Sequence, residues 1–124
     1  MEREKQRKLK LWLMELKNFI NRTENTIIVV EGKRDKIALK KFGIDRVYPL
    51  KGKGFHDFAQ ILSDEIKPQS IILITDFDPE GEIIFQKLQK IFSRYNLPID
   101  TSFREELRKT GIKFVEEIPK RIFK

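Results

Sequence analysis

The sequence contains no cysteine. That absence excludes disulfides, zinc–thiolate sites, iron–sulfur clusters and thiol catalysis together. It has one histidine, His56, which rules out a multi-histidine metal site. Long apolar runs are also missing. Ile27–Val30 and Ile71–Ile74 are four residues each, against the roughly 20 that a membrane-spanning helix needs. The first residues are charged and carry no apolar signal core, so the expected location is the cytoplasm. Acidic residues fall short of basic ones, 19 against 26, for a formal net charge of +7. An excess of that sign favours polyanionic partners such as nucleic acid or an acidic membrane surface. What is present suffices for a core. Apolar residues make up 40% of a 124-residue chain, which fits one compact domain.

The pattern of apolar residues changes along the chain. Leu9, Trp12, Leu13, Leu16, Phe19 and Ile20 recur at helical spacing, which predicts an amphipathic N-terminal helix. Arg3, Lys5, Arg7 and Lys8 crowd its start. Cations there oppose the helix dipole, so fraying of the first turns is expected. This helix is read as packing on its own sheet rather than on another chain, because a small domain gains much from extra core. Thr26–Glu31, Arg46–Leu50 and Ser70–Thr75 read as strands, each followed by a helical pattern. The β-branched runs lack polar alternation, as expected of strands covered on both faces of a parallel sheet. The fold class is therefore α/β: about four mostly parallel strands with helices on both faces. Phe103–Lys109 reads as helix, and Lys113–Ile118 as a fourth strand in preference to a short helix. The ten phenylalanines and Trp12 read as core, with no aromatic platform for base stacking.

In an open parallel sheet, ligands bind beyond the carboxyl ends of the strands. Glu31 closes the first strand, and Asp76 and Asp78 follow the third. Three carboxylates gathered at one edge repel one another, and a hard divalent cation removes that conflict. Carboxylate and water ligands suit Mg²⁺ or Mn²⁺ and chemistry on phosphate esters. A simpler reading exists for Asp78, which stands before Pro79 and Glu80 as a helix N-cap would. Capping does not account for Asp76 or Glu31. If all three acids were caps, the chain would be a generic α/β domain.

Val29-Val-Glu-Gly-Lys-Arg-Asp35 and Ile72-Leu-Ile-Thr-Asp-Phe-Asp-Pro-Glu-Gly-Glu82 resemble the two signature motifs of the Toprim domain. That family is shared by topoisomerases, bacterial-type primases, recombination-repair proteins and nucleases. The size is most similar to the stand-alone small Toprim proteins of archaea and some bacteria. The resemblance implies a Rossmann-like sheet and divides the chain into an N-terminal helical extension (1–24), a Toprim domain (25–107) and a C-terminal extension packed on it (108–124). It implies that Glu31 ligates metal and acts as general acid or base. One ion would be shared by Glu31 and Asp76, and a second by Asp76 and Asp78. Glu82 matches a further acid, able to hold a metal-bound water or to sit on a solvated helix face. The implied activity is Mg²⁺-dependent cleavage or transfer at phosphodiester bonds of DNA or RNA, alone or with a protein partner. The alternative is a non-catalytic nucleic-acid-binding or scaffold subunit that grips phosphate through the metal. A topoisomerase would also need a nucleophilic tyrosine presented by another domain, and Tyr48 and Tyr95 have none to present them.

Four basic residues are candidate phosphate contacts. Lys33 and Arg34 follow Glu31, while Lys51 and Lys53 lie in a glycine-flanked loop on the same expected edge. Lysines in a solvated turn are the plainer reading of the last two. His56, beside Asp57 at a helix start, reads as a surface or capping residue.

Overall fold

The structure, a computed structural model, describes residues 2–50 and 52–123. Strand β1, Thr26–Val30, is buried along its whole length. A strand of that composition needs cover on both faces, and its position supplies it. It pairs in parallel with β2 (Val47–Pro49) on one side and β3 (Ser70–Leu73) on the other. A short β4 (Ile99–Asp100) extends the sheet beyond β3, giving the all-parallel order β2-β1-β3-β4. Pro49 has no N–H to donate, and it falls on an edge strand, where one is dispensable. The register places Ile28 opposite Val47 and Ile72, so the ends of β1 and β3 lie side by side.

Alternate residues of the strands feed two cores. Ile28, Val30, Ile72 and Ile74 face one layer. Helix α1 (Glu2–Arg22) contributes Leu9, Trp12, Leu13, Leu16 and Ile20 to it, and α2 (Lys33–Lys40) contributes Leu39. Ile27, Val29, Ile71 and Leu73 face the other layer. There α3 (Phe55–Ile61), continued by a π-helical turn over Leu62–Ile66, supplies Phe58, Ala59 and Leu62. Helix α4 (Pro79–Arg94) adds Phe85, Leu88 and Phe92. The N-terminal helix thus packs on its own sheet. It is helical from Glu2, contrary to the expected fraying. Glu2 and Glu4 put negative charge in its first turn, which the helix dipole favours. The Gln6 amide also donates to the carbonyls of Arg121 and Ile122, at 3.1 and 3.3 Å.

The C-terminal segment corrects the sequence reading. Helix α5 spans Ser102–Arg108. Lys113–Ile118, expected as a strand, instead holds a 3₁₀ turn, Val115–Glu117, running into α6 (Ile118–Ile122). Ile112, Val115 and Ile118 are buried while Glu116 and Glu117 are exposed. That spacing of three suits a 3₁₀ or helical turn, whereas a strand would bury every second residue. The fourth strand is Ile99–Asp100, too short to leave an apolar pattern in the sequence.

Candidate metal centre

The peptide leaving β1 places Glu31, and the one leaving β3 places Asp76 and Asp78, at adjacent strand ends. One ligand atom from each of these three carboxylates lies within 4.8 Å of the others, the arrangement that could hold a metal ion. All three are half-buried. Each carboxylate is aimed by a backbone amide. Glu31 Oε2 accepts from the Asp76 N–H at 2.7 Å. Asp76 Oδ1 accepts from the Val115 N–H at 2.8 Å. Asp78 Oδ1 accepts from the Gly81 N–H at 2.9 Å. One oxygen of each group is oriented in this way, and among the described residues the other accepts no hydrogen bond. Asp78 is also the N-cap of α4, with Pro79 in its first turn. The capping reading therefore holds at this residue, and it leaves Asp78 within the acidic cluster that could hold a metal.

Gly81 makes the turn possible. A Cβ there would lie 2.3 Å from the Asp76 carbonyl oxygen and 2.8 Å from Asp78 Oδ1, well inside contact distance. Thr75, fully buried, donates its hydroxyl to the Gly81 carbonyl at 2.9 Å, tying the strand end to the start of α4.

The site lacks compensating positive charge within its own triad, and its electrostatics reflect this. Burial pushes the Glu31 carboxyl up from 4.5 to about 7. The hydrogen bond from Asp76 opposes that rise, while the charges of Asp76, Asp35 and Asp78 add to it. Asp76 is raised by burial as well, against the hydrogen bond from Val115. A fourth acid joins them. Asp35, 6% exposed, is raised to about 6 by burial and then by the charge of Asp76. Its carboxylate accepts from the Gly32 N–H at 3.1 Å, from the third position of α2. Asp35 lies within the Val29–Asp35 motif, where the sequence pattern alone assigns it no role. Its place four residues after Glu31, in the first turn of a helix leaving the strand, was the available signal.

These shifts set a pH dependence. A carboxyl whose folded value lies above its ordinary one contributes stability that is full below the ordinary value and lost as pH rises through the folded one. For Glu31 and Asp35 that window runs from about pH 4 to 7. Glu82 shifts the other way, lowered first by its hydrogen bond from Arg108, and so acts below this window. In chelator, the melting temperature is expected to fall between pH 5 and 8, by the equivalent of about 2 kcal/mol after allowing for solvent screening. Saturating Mg²⁺ should flatten that slope. Melts at four pH values check this, and a rise in chelator over the same range would contradict it.

The remaining candidates separate. Glu82 is held by Arg104 Nη2 at 3.1 Å and Arg108 Nη1 at 2.7 Å, so its oxygens are already engaged by guanidinium groups. Lys33 and Arg34 are exposed at the start of α2, and Arg34 lies 3.7 Å from Glu116. Lys53 is exposed, with its ammonium 5.7 Å from the Phe58 ring centroid. Lys51 lies outside the described residues. His56 is exposed, with Nδ1 3.4 Å from the Tyr95 hydroxyl. Tyr95 caps the C-terminal end of α4, the length of that 16-residue helix from Asp78.

Arg104 had no signal in the sequence. It is fully buried, with Nε on the Thr75 carbonyl at 3.0 Å and Nη2 on the Asp76 carbonyl at 2.7 Å. Its guanidinium carbon lies 4.4 Å from the Phe77 ring centroid and 4.1 Å from that of Phe85.

The Toprim domain family model matches residues 26–113, from the first residue of β1 past α5. The chain belongs to the Toprim domain family. The fold and the acid-bearing strand ends agree with that membership, which associates the chain with divalent metal and with nucleic acid. Among curated proteins, it is 35% identical over 94 residues to a UPF0292 protein of Thermococcus sibiricus, covering 76% of this chain and 73% of that one. A UPF0292 protein of Methanosarcina barkeri is 31% identical over 108 residues, covering 86% and 72%. Among solved structures, a putative protein from Aquifex aeolicus superposes with a TM-score of 0.77 at 37% identity, covering 87% of this chain and 95% of that one. Among the described residues, no helix of this Toprim protein is long and apolar enough to cross a membrane.

Proposed function

We propose that this Toprim protein acts on phosphodiester bonds of DNA or RNA in the cytoplasm, using Mg²⁺, with Mn²⁺ able to replace it. The observation that carries the reading is the triad itself: three carboxylates at two parallel strand ends, each aimed by an amide, with a free oxygen apiece. Only hard oxygen donors are present, which suits these ions. Glu31, Asp76 and Asp78 would hold the metal. When bound, it would polarise a phosphoryl oxygen and neutralise charge as the bond breaks. The chain's own part is proton transfer and placement. Glu31, which accepts from the Asp76 amide at the strand end, would be the group placed to donate or accept a proton at the reacting phosphate. Lys33, Arg34 and Lys53, with Lys51, would position the backbone phosphates.

In the same reading, residues 25–107 form the Toprim domain and 1–24 and 108–124 its extensions. The second extension supplies the Val115 amide that orients Asp76. A second function remains in view because Glu31 Oε2 is committed to the Asp76 amide. If Glu31 so held serves only as a metal ligand, the site has no general base of its own and grips phosphate without cutting it, alone or beside a protein partner.

The test is incubation with labelled single- and double-stranded DNA and RNA in Mg²⁺, Mn²⁺ or chelator. Metal-dependent scission is expected, falling at least about a hundredfold in Glu31→Gln, the scale of a lost general acid or base. Metal-dependent binding without scission would select the gripping function. Neither binding nor scission would reduce the chain to an α/β domain with capped helices.

A further inference from the structure

A groove of about 460 Å³ runs between α2 and α6, outside the acidic triad. Arg34, Lys41 and Lys120 line it, with Glu116 as the one acid and Ile37 and Phe123 as large apolar groups. Ile37 is 56% exposed and Phe123 66%. Phe123 thus departs from the expectation that the phenylalanines are core. Its ring lies parallel to that of Phe42, 5.3 Å between centroids and 10° between planes. Phe42 packs against the core, so one face of Phe123 is supported from below.

Ile37 and Phe123 line the same groove and are both exposed, and contiguous exposed apolar groups rimmed by charge mark an interaction surface. The surrounding charge says what kind of partner it fits. Among the described residues, Lys41 and Lys120 make no ion pair, and Arg34 has only the 3.7 Å contact to Glu116. Three cations lining the same groove as an exposed aromatic ring match the two parts of a nucleotide, a π-face and a phosphate. Such a ring stacks any unpaired base, whereas duplex bases are already stacked on each other. The groove also borders the metal centre: Glu116 lines it, and the preceding residue, Val115, donates to Asp76.

We propose that the groove binds single-stranded nucleic acid, with a base stacked on Phe123 and phosphates on Arg34, Lys41 and Lys120. It would deliver the neighbouring phosphodiester to the triad. The inference rests on the nucleic-acid reading of that triad and names its substrate as a single strand.

The test is fluorescence anisotropy with labelled oligo-dT and oligo-U in chelator, where the metal centre plays no part, over a range of salt. The wild-type protein should bind. Phe123→Ala should weaken binding about tenfold, with the salt dependence unchanged. Lys41→Gln with Lys120→Gln should lower the slope of log affinity against log salt by about 0.7 for each lysine. Both sites are exposed, and melting curves verify that the variants fold. No binding in chelator would overturn the groove, as would unchanged binding in both variants. So would equal competition by a duplex of the same sequence, or by poly-glutamate, the latter pointing to an acidic protein instead. Groove binding without metal-dependent scission in Mg²⁺ would overturn the proposed cleavage alone.

Discussion

Replacing Asp76 with asparagine should abolish saturable Mg²⁺ and Mn²⁺ binding while leaving the fold intact. Asp76 is the acid expected to serve both metal positions, and its carboxylate lies within 4.8 Å of those of Glu31 and Asp78. An asparagine carbonyl can still accept the Val115 N–H that now goes to Oδ1 at 2.8 Å, so the loop has little reason to move. What is lost is a negative charge. The fall in affinity should exceed the ~10–100-fold that removing a hydrogen-bonded support of a metal ligand costs. The same substitution relieves repulsion on Glu31 and Asp35, both pushed up in part by Asp76. In chelator at pH 8 the variant should therefore melt at or above the wild-type temperature. Calorimetric titration paired with melting curves reads both effects. Metal binding retained within tenfold would remove Asp76 from the site, and a large drop in melting temperature would mean that its role is structural.

The second large effect is expected from Arg104→Met. Methionine fills much of the space between Phe77 and Phe85 and removes the guanidinium. The buried carbonyl of Thr75 then loses its donor, at a cost of about 1–3 kcal/mol. Removing one member of a buried ion pair costs about 3–5 kcal/mol when the other is stranded. Here Glu82 is partly exposed and keeps Arg108, so the ion-pair share is smaller. A total near 3 kcal/mol is reasonable, a fall of about 10 °C for a chain of this size. Metal affinity should fall too, because Nη2 holds the peptide of Asp76 itself. Arg104→Lys should recover little, since an ammonium cannot reach both carbonyls and Glu82 in one plane. A loss under 1 kcal/mol with unchanged metal affinity would show that the clamp is dispensable.

Much of this site was legible because its acids are local punctuation. Glu31 ends an unbroken apolar strand, and Asp76 follows another, so each stands out against its neighbours. Asp35 was less visible: a lone acid in the first turn of a helix is ordinary, and only proximity to Asp76 gives it weight. Glu82 illustrates the reverse. Its place in a motif suggested a site acid, yet its environment is decided by two arginines on α5 that no local pattern connects to it.

The alternation of strand and helix, the parallel sheet and the three strand-end acids are all readable from the order of residues. Those depend on period, on β-branched runs and on turn residues, all of them interactions within a few positions. Tertiary structure alone decided the partners of those acids: the Val115 amide on Asp76, Arg104 beneath the β3 exit, and the open face of Phe123 beside Lys41 and Lys120. It also decided that β4 is a two-residue strand and that Val115–Glu117 is a turn. These features arise from contacts between segments far apart in the chain. Their energies come from desolvation and packing, which become defined only when the layers close.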